Sequence, residues 1–411
     1  MAAGTRHAEV AGAGLAGLTV AAALAQRGWS VRVHERASEL REIGAGIFVW
    51  ENGLRALESV GAFAEATRRS EHADRWMLYD ERRRLIQADW MIPGVRLHTM
   101  LRTDLHKALT SAAQRAGAEL VTSSSVAGAG QDGTLRLADG SEVKADLVVG
   151  ADGVSSKVRD SIDVRARKRD LRDGCGRHLI PRKDTDPRNA TLEYWQGSRR
   201  VGIVPCSPGS VYVYLCCPER DTLGVDQGDD RATWTDSFPY LDDVISRIPD
   251  GGRWASFADI VCDKWSSGRV ALVGDAAHAM SPNLGQGACV ALANAVALAD
   301  ALDRHEDIPR ALEVWERAER PIADATQRYS RLYGAVGTKW PQGLLGARSA
   351  LVSVLAQWKS FQRRANAAAM HVPWDLTAGA PARPSPGPAD PSGNGRAASP
   401  GRPADDTSDV T

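Results

Sequence analysis

A glycine-rich turn near the N-terminus constrains the fold of this chain more than any other feature. Gly12, Gly14 and Gly17 follow a short apolar stretch at 8–11 and open an alanine-rich helical pattern at 15–27. Such glycines let the backbone bend sharply and approach a pyrophosphate, whose charge is attracted by the free N–H groups of the helix. The turn therefore predicts a dinucleotide site; the alternative is a tight turn with no ligand.

A second strand and its terminal acid support the dinucleotide interpretation. Residues 29–35 alternate apolar and polar side chains, which predicts a strand that ends at Glu35 and completes a βαβ unit. A carboxylate at this place accepts hydrogen bonds from the ribose hydroxyls of an adenosine. Its charge disfavours a 2′-phosphate, so the tightly bound nucleotide is predicted to be FAD or NAD rather than NADP.

A second turn, far downstream, distinguishes between these two nucleotides. Asp275 follows an apolar strand at 269–274, and Gly285 and Gly287 open a long helix that extends to about residue 302. FAD is long enough to need a second binding segment, and a carboxylate here can hold its ribityl hydroxyls. The start of the helix would face the pyrimidine end of the flavin, which becomes anionic on reduction. The alternative is that Asp275 only caps a local helix.

The composition excludes several classes of partner. Lys plus Arg equals Asp plus Glu at 51 each, so no net field favours nucleic acid or an anionic membrane. The six cysteines show no CxxC spacing, which predicts reduced thiols, no metal site and a cytoplasmic protein. No stretch has the roughly 18 uninterrupted apolar residues of a membrane span.

The order of these patterns predicts an α/β fold with two interleaved domains and C-terminal helices. A Rossmann-like FAD-binding domain is predicted from the α/β stretches, and a mixed β-sheet substrate domain from the β-rich, aromatic stretches. A final segment rich in proline and poor in large apolar residues is predicted to be disordered. The predicted bounds are 1–70, 100–165 and 262–335 for the first domain, 71–99 and 166–261 for the second, 336–376 for the helices and 377–411 for the tail.

Three motifs in this order resemble a known family. They are the turn at 12–17 with Glu35 and Arg36, the segment at 146–159 with the sequence Asp-Leu-Val-Val-Gly-Ala-Asp-Gly-Val-Ser-Ser-Lys-Val-Arg, and the segment at 268–287. Together they resemble the fingerprints of single-component FAD-dependent monooxygenases, of which the para-hydroxybenzoate and salicylate hydroxylases are typical. The resemblance extends over about residues 8–330.

The resemblance implies a role for each matching residue. Pro282 would place its carbonyl near the reactive face of the flavin. His278 is a candidate base, although this histidine is more often a structural donor in the family. The implied cofactor-binding residues are Gly12, Gly14, Leu15, Ala16, Gly17, Glu35, Arg36, Ala45, Arg102, Val126, Asp152, Gly153, Asp275, Gly285, Gln286 and Gly287.

Four aromatic side chains are candidates for lining the substrate pocket. Some members of the family have a histidine after the loop at 44–47 that acts on the substrate, and Phe48 stands in its place here. Tyr194, Tyr212 and Tyr214 lie on strands predicted for the second domain, and the alternative for each is ordinary strand core. Asn294 is a further departure from the family. This chain has Ala-Asn-Ala at 293–295, where the family usually has Glu-Asp-Ala, and the change is predicted to affect packing rather than chemistry.

The predicted function is an FAD-dependent monooxygenase that consumes NADH or NADPH and O₂. A flavin hydroperoxide would pass one oxygen atom to a phenolic or heteroaromatic small molecule, while the protein orients the ring and excludes water. Alternatives on the same scaffold are an epoxidase, a Baeyer–Villiger enzyme or a hydroxylase of polyketides and other natural products. A non-catalytic flavin- or NAD-binding protein is a further alternative. A monomer or homodimer is expected, with no nucleic-acid or membrane partner.

Overall fold

The computed structural model describes residues 5–40, 45–88, 94–226 and 231–372. The predicted tail at 377–411 and residue 44 of the 44–47 loop lie outside them. The strands are β1 (His7–Ala11), β2 (Ser30–His34), β3 (Gly46–Trp50), β4 (Glu71–His72), β5 (Arg75–Tyr79), β6 (Leu85–Gln87), β7 (Leu97–Leu101), β8 (Glu119–Val121), β9 (Val126–Gly130), β10 (Thr134–Leu137), β11 (Glu142–Lys144), β12 (Leu147–Gly150), β13 (Ala166–Pro181), β14 (Ala190–Gln196), β15 (Arg199–Ser207), β16 (Ser210–Pro218), β17 (Trp254–Cys262), β18 (Ser266–Ser267) and β19 (Val270–Leu272).

The helices connect and cover these strands, and most of the long ones lie in the last third of the described chain. In chain order they are α1 (Leu15–Ala25), α2 (Glu51–Ser59), α3 (Phe63–Thr67), α4 (Arg102–Arg115), α5 (Lys157–Ser161), α6 (Thr222–Val225), α7 (Arg231–Ser237), α8 (Asp242–Ile245), α9 (Asp275–His278), α10 (Gly287–Arg304), α11 (Ile308–Thr338), α12 (Leu345–Gln357), α13 (Lys359–Ala365) and α14 (Ala367–Met370).

The first lobe is built on a sheet of six strands in the order β18-β19-β12-β1-β2-β8. β1 pairs in parallel with β2 on one side and with β12 on the other, and β19 pairs in parallel with β12. β12 is buried along its whole length, as its continuous apolar sequence predicts for a strand with both faces covered. The carboxyl ends of β1, β12 and β19 lie side by side, so the turns that follow them meet at one edge of the sheet.

The second lobe is a sheet of seven strands in the order β17-β13-β16-β15-β14-β5-β6. One face packs against α7, α8 and the short helix between them through Trp234, Phe238 and Ile245. The other face contributes Tyr212 and Tyr214 to the core that it shares with the first lobe. Because side chains alternate along a strand, neighbouring residues belong to different faces.

Long helices complete the molecule. α10 packs in the first lobe, and α11 joins the lobes: the Trp315 Nε1–H donates to the carbonyl of Asn294 in α10 at 2.9 Å, and the Tyr333 hydroxyl donates to Glu193 Oε2 in β14 at 2.9 Å. The predicted α/β class with C-terminal helices is confirmed, although α11 continues past the predicted boundary at 336. Among the described residues, no helix is both long and apolar enough to cross a bilayer.

Candidate active site

The first glycine turn is shaped by two close contacts and one open position. Gly12 has φ +102°, and a Cβ there would lie 2.6 Å from the carbonyl oxygen of Ala151. A Cβ on Gly17 would lie 1.9 Å from the carbonyl oxygen of Gly12, so α1 can approach the turn only with glycine here. A Cβ on Gly14 would meet no heavy atom within 4 Å. The turn therefore leaves space at the start of α1, where no side chain caps the helix.

Glu35 is held at the side of this turn. Its Oε2 accepts the Ala13 N–H at 3.1 Å and its Oε1 accepts the Ala37 N–H at 2.9 Å. His106 of α4 lies 2.9 Å from the carbonyl oxygen of Ala13 through Nε2. The backbone N–H of Ser124 donates to the Glu35 carbonyl at 2.8 Å. The carboxylate is thus placed beside the open space, between α4 and the segment that leads into β9.

The other residues predicted for the adenosine side lie around this turn. Arg102 begins α4, and its N–H donates to the carbonyl of Ala45 at 3.0 Å, which joins α4 to the loop before β3. Val126 is the first residue of β9 and is half-buried. Arg36 is exposed next to Glu35. The structure therefore brings the four segments together, as a single nucleotide site requires.

The turn after β19 approaches the start of α1. Gly274 has φ +59°, and a Cβ there would lie 2.9 Å from Cβ of Ala16. Asp275, the next residue, is exposed at the first position of α9. Arg159 of α5 reaches this turn by donating from Nη1 to the carbonyl of Ala276 at 3.1 Å. The three sequence motifs therefore meet at the carboxyl edge of the first sheet.

Asp152 has a local structural role within the middle motif. Its Oδ2 accepts the N–H groups of Lys157 at 2.7 Å and Val158 at 3.1 Å, and its Oδ1 accepts the Ser156 hydroxyl at 2.5 Å. Gly153 follows with φ +81°. The carboxylate thus caps α5 and fixes the helix that carries Arg159.

The start of α10 provides a second uncapped helix terminus. Gly285 has φ +61°, and a Cβ there would lie 3.0 Å from the ring of Phe48. A Cβ on Gly287 would lie 3.2 Å from Met280. Gln286 donates from Nε2 to Asn366 at 3.1 Å, while its buried Oε1 has no hydrogen-bond partner among the described residues.

These features fit FAD. The starts of α1 and α10 would offer N–H groups to the pyrophosphate and to the pyrimidine end of the flavin, and the carboxylates of Glu35 and Asp275 lie at the same edge, where they would accept from sugar hydroxyls. The open position at Gly14 would give the pyrophosphate room, whereas Gly12 and Gly17 are packed closely against the backbone. The orphaned oxygen of Gln286 adds an acceptor beside the start of α10.

A series of contacts joins the two lobes at their seam, and the residues that make these contacts border the candidate substrate pocket. The ring of Phe48 packs on Gly285 from one side and stacks on Trp76 at 4.9 Å between ring centroids. Two residues earlier on β3, a Cβ on Gly46 would lie 2.6 Å from Cβ of Tyr212, so β3 touches the second sheet here. Phe48 and Tyr212, both predicted substrate contacts, therefore lie on adjoining walls.

β13 and β17 continue the second sheet beside β16. The guanidinium of Arg177 on β13 interacts with Tyr212 and lies 5.9 Å from the ring centroid of Phe257 on β17. β17 in turn holds the segment before Pro282, because the Ile260 N–H donates to the carbonyl of Ala279 at 2.9 Å. Pro282 is exposed at the start of a short 3₁₀ helix at this seam.

Tyr194 does not share this pocket. Its register partner on β15 is Val201, which belongs to the core under α7 and α8. Its ring stacks on Tyr79 at 4.8 Å and meets Tyr240 at 5.6 Å. Tyr194 therefore lies on the outer face of the second sheet, and the structure removes it from the set of substrate contacts. Tyr214 lies on the pocket face but is buried against Gly202.

His278 is enclosed in the first lobe. Its side chain is 4% exposed, its ring centroid lies 4.9 Å from that of Trp265 in a tilted arrangement, and burial lowers its pKa to about 4. With its amide oriented to satisfy its neighbours, Asn294 accepts from His278 Nε2 at 3.2 Å and donates to Glu319 Oε2 at 2.8 Å. A carboxylate at 294 would face buried Glu319, which explains the asparagine. These surroundings favour a structural donor over a base.

Several contributors were missed in the sequence. Arg200 is 1% exposed on the pocket face and donates from Nη2 to Asn283 Oδ1 at 2.6 Å, which holds the residue after Pro282. Arg177 and Phe257 were missed as well. The available signal was alternation along β13 and β17, which indicates shared faces without showing which face adjoins the first lobe.

Comparison with known proteins decides the family. The family model described as an FAD binding domain matches residues 6–328, most of the chain. The chain belongs to the FAD-dependent monooxygenases. It is therefore an oxidoreductase that uses FAD and NAD(P)H, and the predicted family, enzyme class and cofactor are confirmed.

Individual relatives cover nearly the whole described chain. A 2-heptyl-3-hydroxy-4(1H)-quinolone synthase of Mycobacteroides abscessus is 40% identical over 372 residues, 86% of this chain and 98% of that protein. A putative 2-heptyl-3-hydroxy-4(1H)-quinolone synthase of Rhodococcus erythropolis is 36% identical over 377 residues, 90% of this chain and 98% of that protein. The tetrameric 2-methyl-3-hydroxypyridine-5-carboxylic acid oxygenase has a TM-score of 0.80 and 35% identity, and the match covers 90% of this chain and 98% of that one.

Proposed function

We propose that this monooxygenase hydroxylates a nitrogen heteroaromatic ring that carries an oxygen substituent, with the ring bound in the pocket at the seam. The observation that carries the proposal is that Phe48, Tyr212 and the turn after Pro282 meet at this seam, where Gly46 packs on Tyr212 and Phe48 packs on Gly285. Support comes from the relatives: the quinolone synthases and the pyridine carboxylate oxygenase are all named for nitrogen heteroaromatic rings bearing oxygen.

The chain's own residues bind and orient the reactants. When bound, FAD supplies the redox chemistry, taking electrons from NAD(P)H and activating O₂. We propose that Glu35, Asp275 and the starts of α1 and α10 hold it across the edge of the first sheet. Phe48 and Tyr212 would fix the plane of the substrate ring. Closing the seam around that ring excludes water, which protects the oxygen transfer from wasteful release of peroxide.

No side chain of the pocket is proposed as a general base. His278 is held neutral in the core, away from Tyr212 and Phe48, and its Nε2 is engaged with Asn294. A ring that already carries an oxygen substituent is electron-rich, so its attack on activated oxygen needs positioning more than proton removal. The protein's share of the rate would come from orientation and desolvation.

Substrate-dependent oxygen incorporation tests this function. NAD(P)H oxidation should be stimulated by 2-alkyl-4(1H)-quinolones or by hydroxypyridine carboxylates, and mass spectrometry under ¹⁸O₂ should show one labelled oxygen in the ring product. Phenols without nitrogen are the comparison. Stimulation only by non-aromatic substrates, or by none of these rings, would contradict the proposal.

A matched pair of tyrosines tests the location of the pocket. Tyr212→Phe should raise KM about fivefold, since loss of one hydrogen-bonding hydroxyl costs about 1 kcal/mol. Tyr194→Phe removes the same group from the opposite face and should leave KM unchanged. Equal effects of the two substitutions would place the ring elsewhere.

A further inference from the structure

Two neighbouring side chains on the pocket face of β13 are exposed although their strand partners are buried. Arg177 and Leu179 share a face with Cys175, because alternate residues of a strand point the same way. Leu179 is 37% exposed and Arg177 is also exposed. Their register partners on β16, Tyr214 and Tyr212, are buried. The pocket therefore opens above Arg177 and Leu179, whose side chains are accessible to a ligand.

The positive charge of Arg177 is not compensated by a carboxylate. No acidic side chain of the described residues forms an ion pair with it; its polar neighbours are Cys175, Tyr212 and Cys216. Phe257, which faces it from β17, is uncharged. These neighbours raise the pKa of Arg177, Cys175 the most, so the guanidinium stays cationic.

Arg200 on the same face shows the contrasting case of a compensated cation. Its Nη1 lies 3.4 Å from Glu193 Oε1, and its Nη2 lies 3.9 Å from Asp173 Oδ2. Its role is to hold buried polar groups and Asn283. Among the described residues of this wall, Arg177 is thus a cation without an ion-pair partner, beside an apolar surface formed by Leu179 and Phe257.

We propose that Arg177 selects substrates whose ring oxygen binds as an oxyanion, such as the deprotonated form of a hydroxypyridine, a 4-hydroxyquinoline or a phenol. This inference rests on the proposed function and names its substrate class more closely. A charge-assisted hydrogen bond from the guanidinium to such an oxygen is stronger than a hydrogen bond between neutral groups. The guanidinium stabilises the deprotonated ring oxygen, so the ligand's pKa falls on binding and its hydroxyl proton leaves to solvent.

This role would explain how the site works without a base at the position where some members of the family have a histidine. The cation lowers the pKa of the ring hydroxyl instead of removing its proton directly. A ring bearing an oxyanion is more electron-rich, and it attacks activated oxygen more readily. Arg177 would therefore be both a specificity determinant and an activating contact.

Ionisation of a bound probe tests the proposal. We would titrate the FAD-loaded protein with 4-fluorophenol and follow the bound ligand by ¹⁹F NMR across the pH range in which the phenol ionises. Wild-type protein should lower the probe's pKa by about one unit or more. Arg177→Gln should abolish that shift and weaken phenolate binding about tenfold, and Arg177→Lys should restore part of both.

Arg167→Gln is the matched control, since Arg167 is exposed on the same strand, ten positions from the pocket residue. It should behave as wild type, and unchanged FAD content would show that all variants are folded. An unshifted probe pKa in wild type, or equal shifts in wild type and Arg177→Gln, would overturn the proposal. In that case, incorporation of ¹⁸O into the ring product would still support the proposed function. The absence of ¹⁸O incorporation would overturn the proposed function itself.

Discussion

Replacing Gly14 with alanine should separate nucleotide binding from the stability of the fold. Gly14 has φ −74° and ψ −179°, which alanine adopts without strain. Its added Cβ would meet no heavy atom of the protein within 4 Å and would instead enter the space before the first N–H groups of α1. We therefore expect the apoprotein to keep its stability and to bind FAD more weakly.

The expected loss of FAD affinity follows from the hydrogen bonds at the start of α1. A displaced pyrophosphate would lose one or two charge-assisted hydrogen bonds of about 1.5–3 kcal/mol each. Since about 1.4 kcal/mol corresponds to a factor of ten, the Kd for FAD should rise at least tenfold. The free energy of unfolding of the apoprotein should change by no more than about 1 kcal/mol, as for other glycine-to-alanine changes at compatible positions.

Gly17→Ala is the control for this experiment. Its Cβ would lie 1.9 Å from the carbonyl oxygen of Gly12, so α1 or the turn must shift, and the apoprotein itself should lose about 1–3 kcal/mol or more. Urea unfolding of both apoproteins and fluorescence titration with FAD would measure the two effects. Equal destabilisation of the two apoproteins, or wild-type FAD affinity in Gly14→Ala, would refute this account of the turn.

Three further predictions concern the cofactor, acid stability and the timing of reduction. Asp275→Ala should weaken FAD binding about tenfold or more, because ribityl hydroxyls would lose a charged acceptor; equilibrium dialysis measures this, and unchanged affinity would mean that the carboxylate does not touch the cofactor. Burial would raise the pKa of Glu51, but hydrogen bonds from Arg96 and Arg55 outweigh it and lower the pKa to about 2. The stability that this carboxylate contributes is therefore present above its ordinary pKa of 4.5 and is lost as the pH falls towards 2. Glu51→Gln should flatten the acid-unfolding curve between these pH values. A curve identical to that of wild type would contradict the stabilising role of Glu51. Substrate should accelerate anaerobic reduction of the flavin by NAD(P)H, because reduction without substrate wastes the reductant; stopped-flow traces with equal rates would exclude such gating.

The cofactor edge could be predicted from sequence because its requirements are local. Gly12 and Gly17 need to lack a side chain, and a strand, a turn and a helix in short succession fix where they lie. Asp275 could be identified in the same way, from the apolar strand before it. The sequence did not predict the role of Asp152, whose carboxylate accepts the first N–H groups of the following helix, α5.

The substrate wall was harder to predict because it depends on how two sheets meet. Alternation along β14 and β16 shows that Tyr194 and Tyr212 are each half-buried strand residues, but not that they face opposite sides. Arg177 lies in a stretch where exposed and buried residues alternate, as on any strand with one covered face. The contact of Gly46 with Tyr212 shows which face adjoins the first lobe.

The interleaving of the lobes has a consequence for how the protein is made. β12 gains its outer neighbour only when β19 pairs with it, from Val148 with Val270 onward, and the Trp50 N–H reaches its acceptor, Cys289 Sγ, across 239 positions. Contacts this distant in sequence slow folding, because the entropy of closing long loops must be overcome first. During synthesis the edge of β12 therefore stays open for more than a hundred residues, and an unpaired hydrophobic edge is a template for aggregation. A nascent chain of this enzyme should depend on chaperones until its last third has left the ribosome, and only then can it take up FAD.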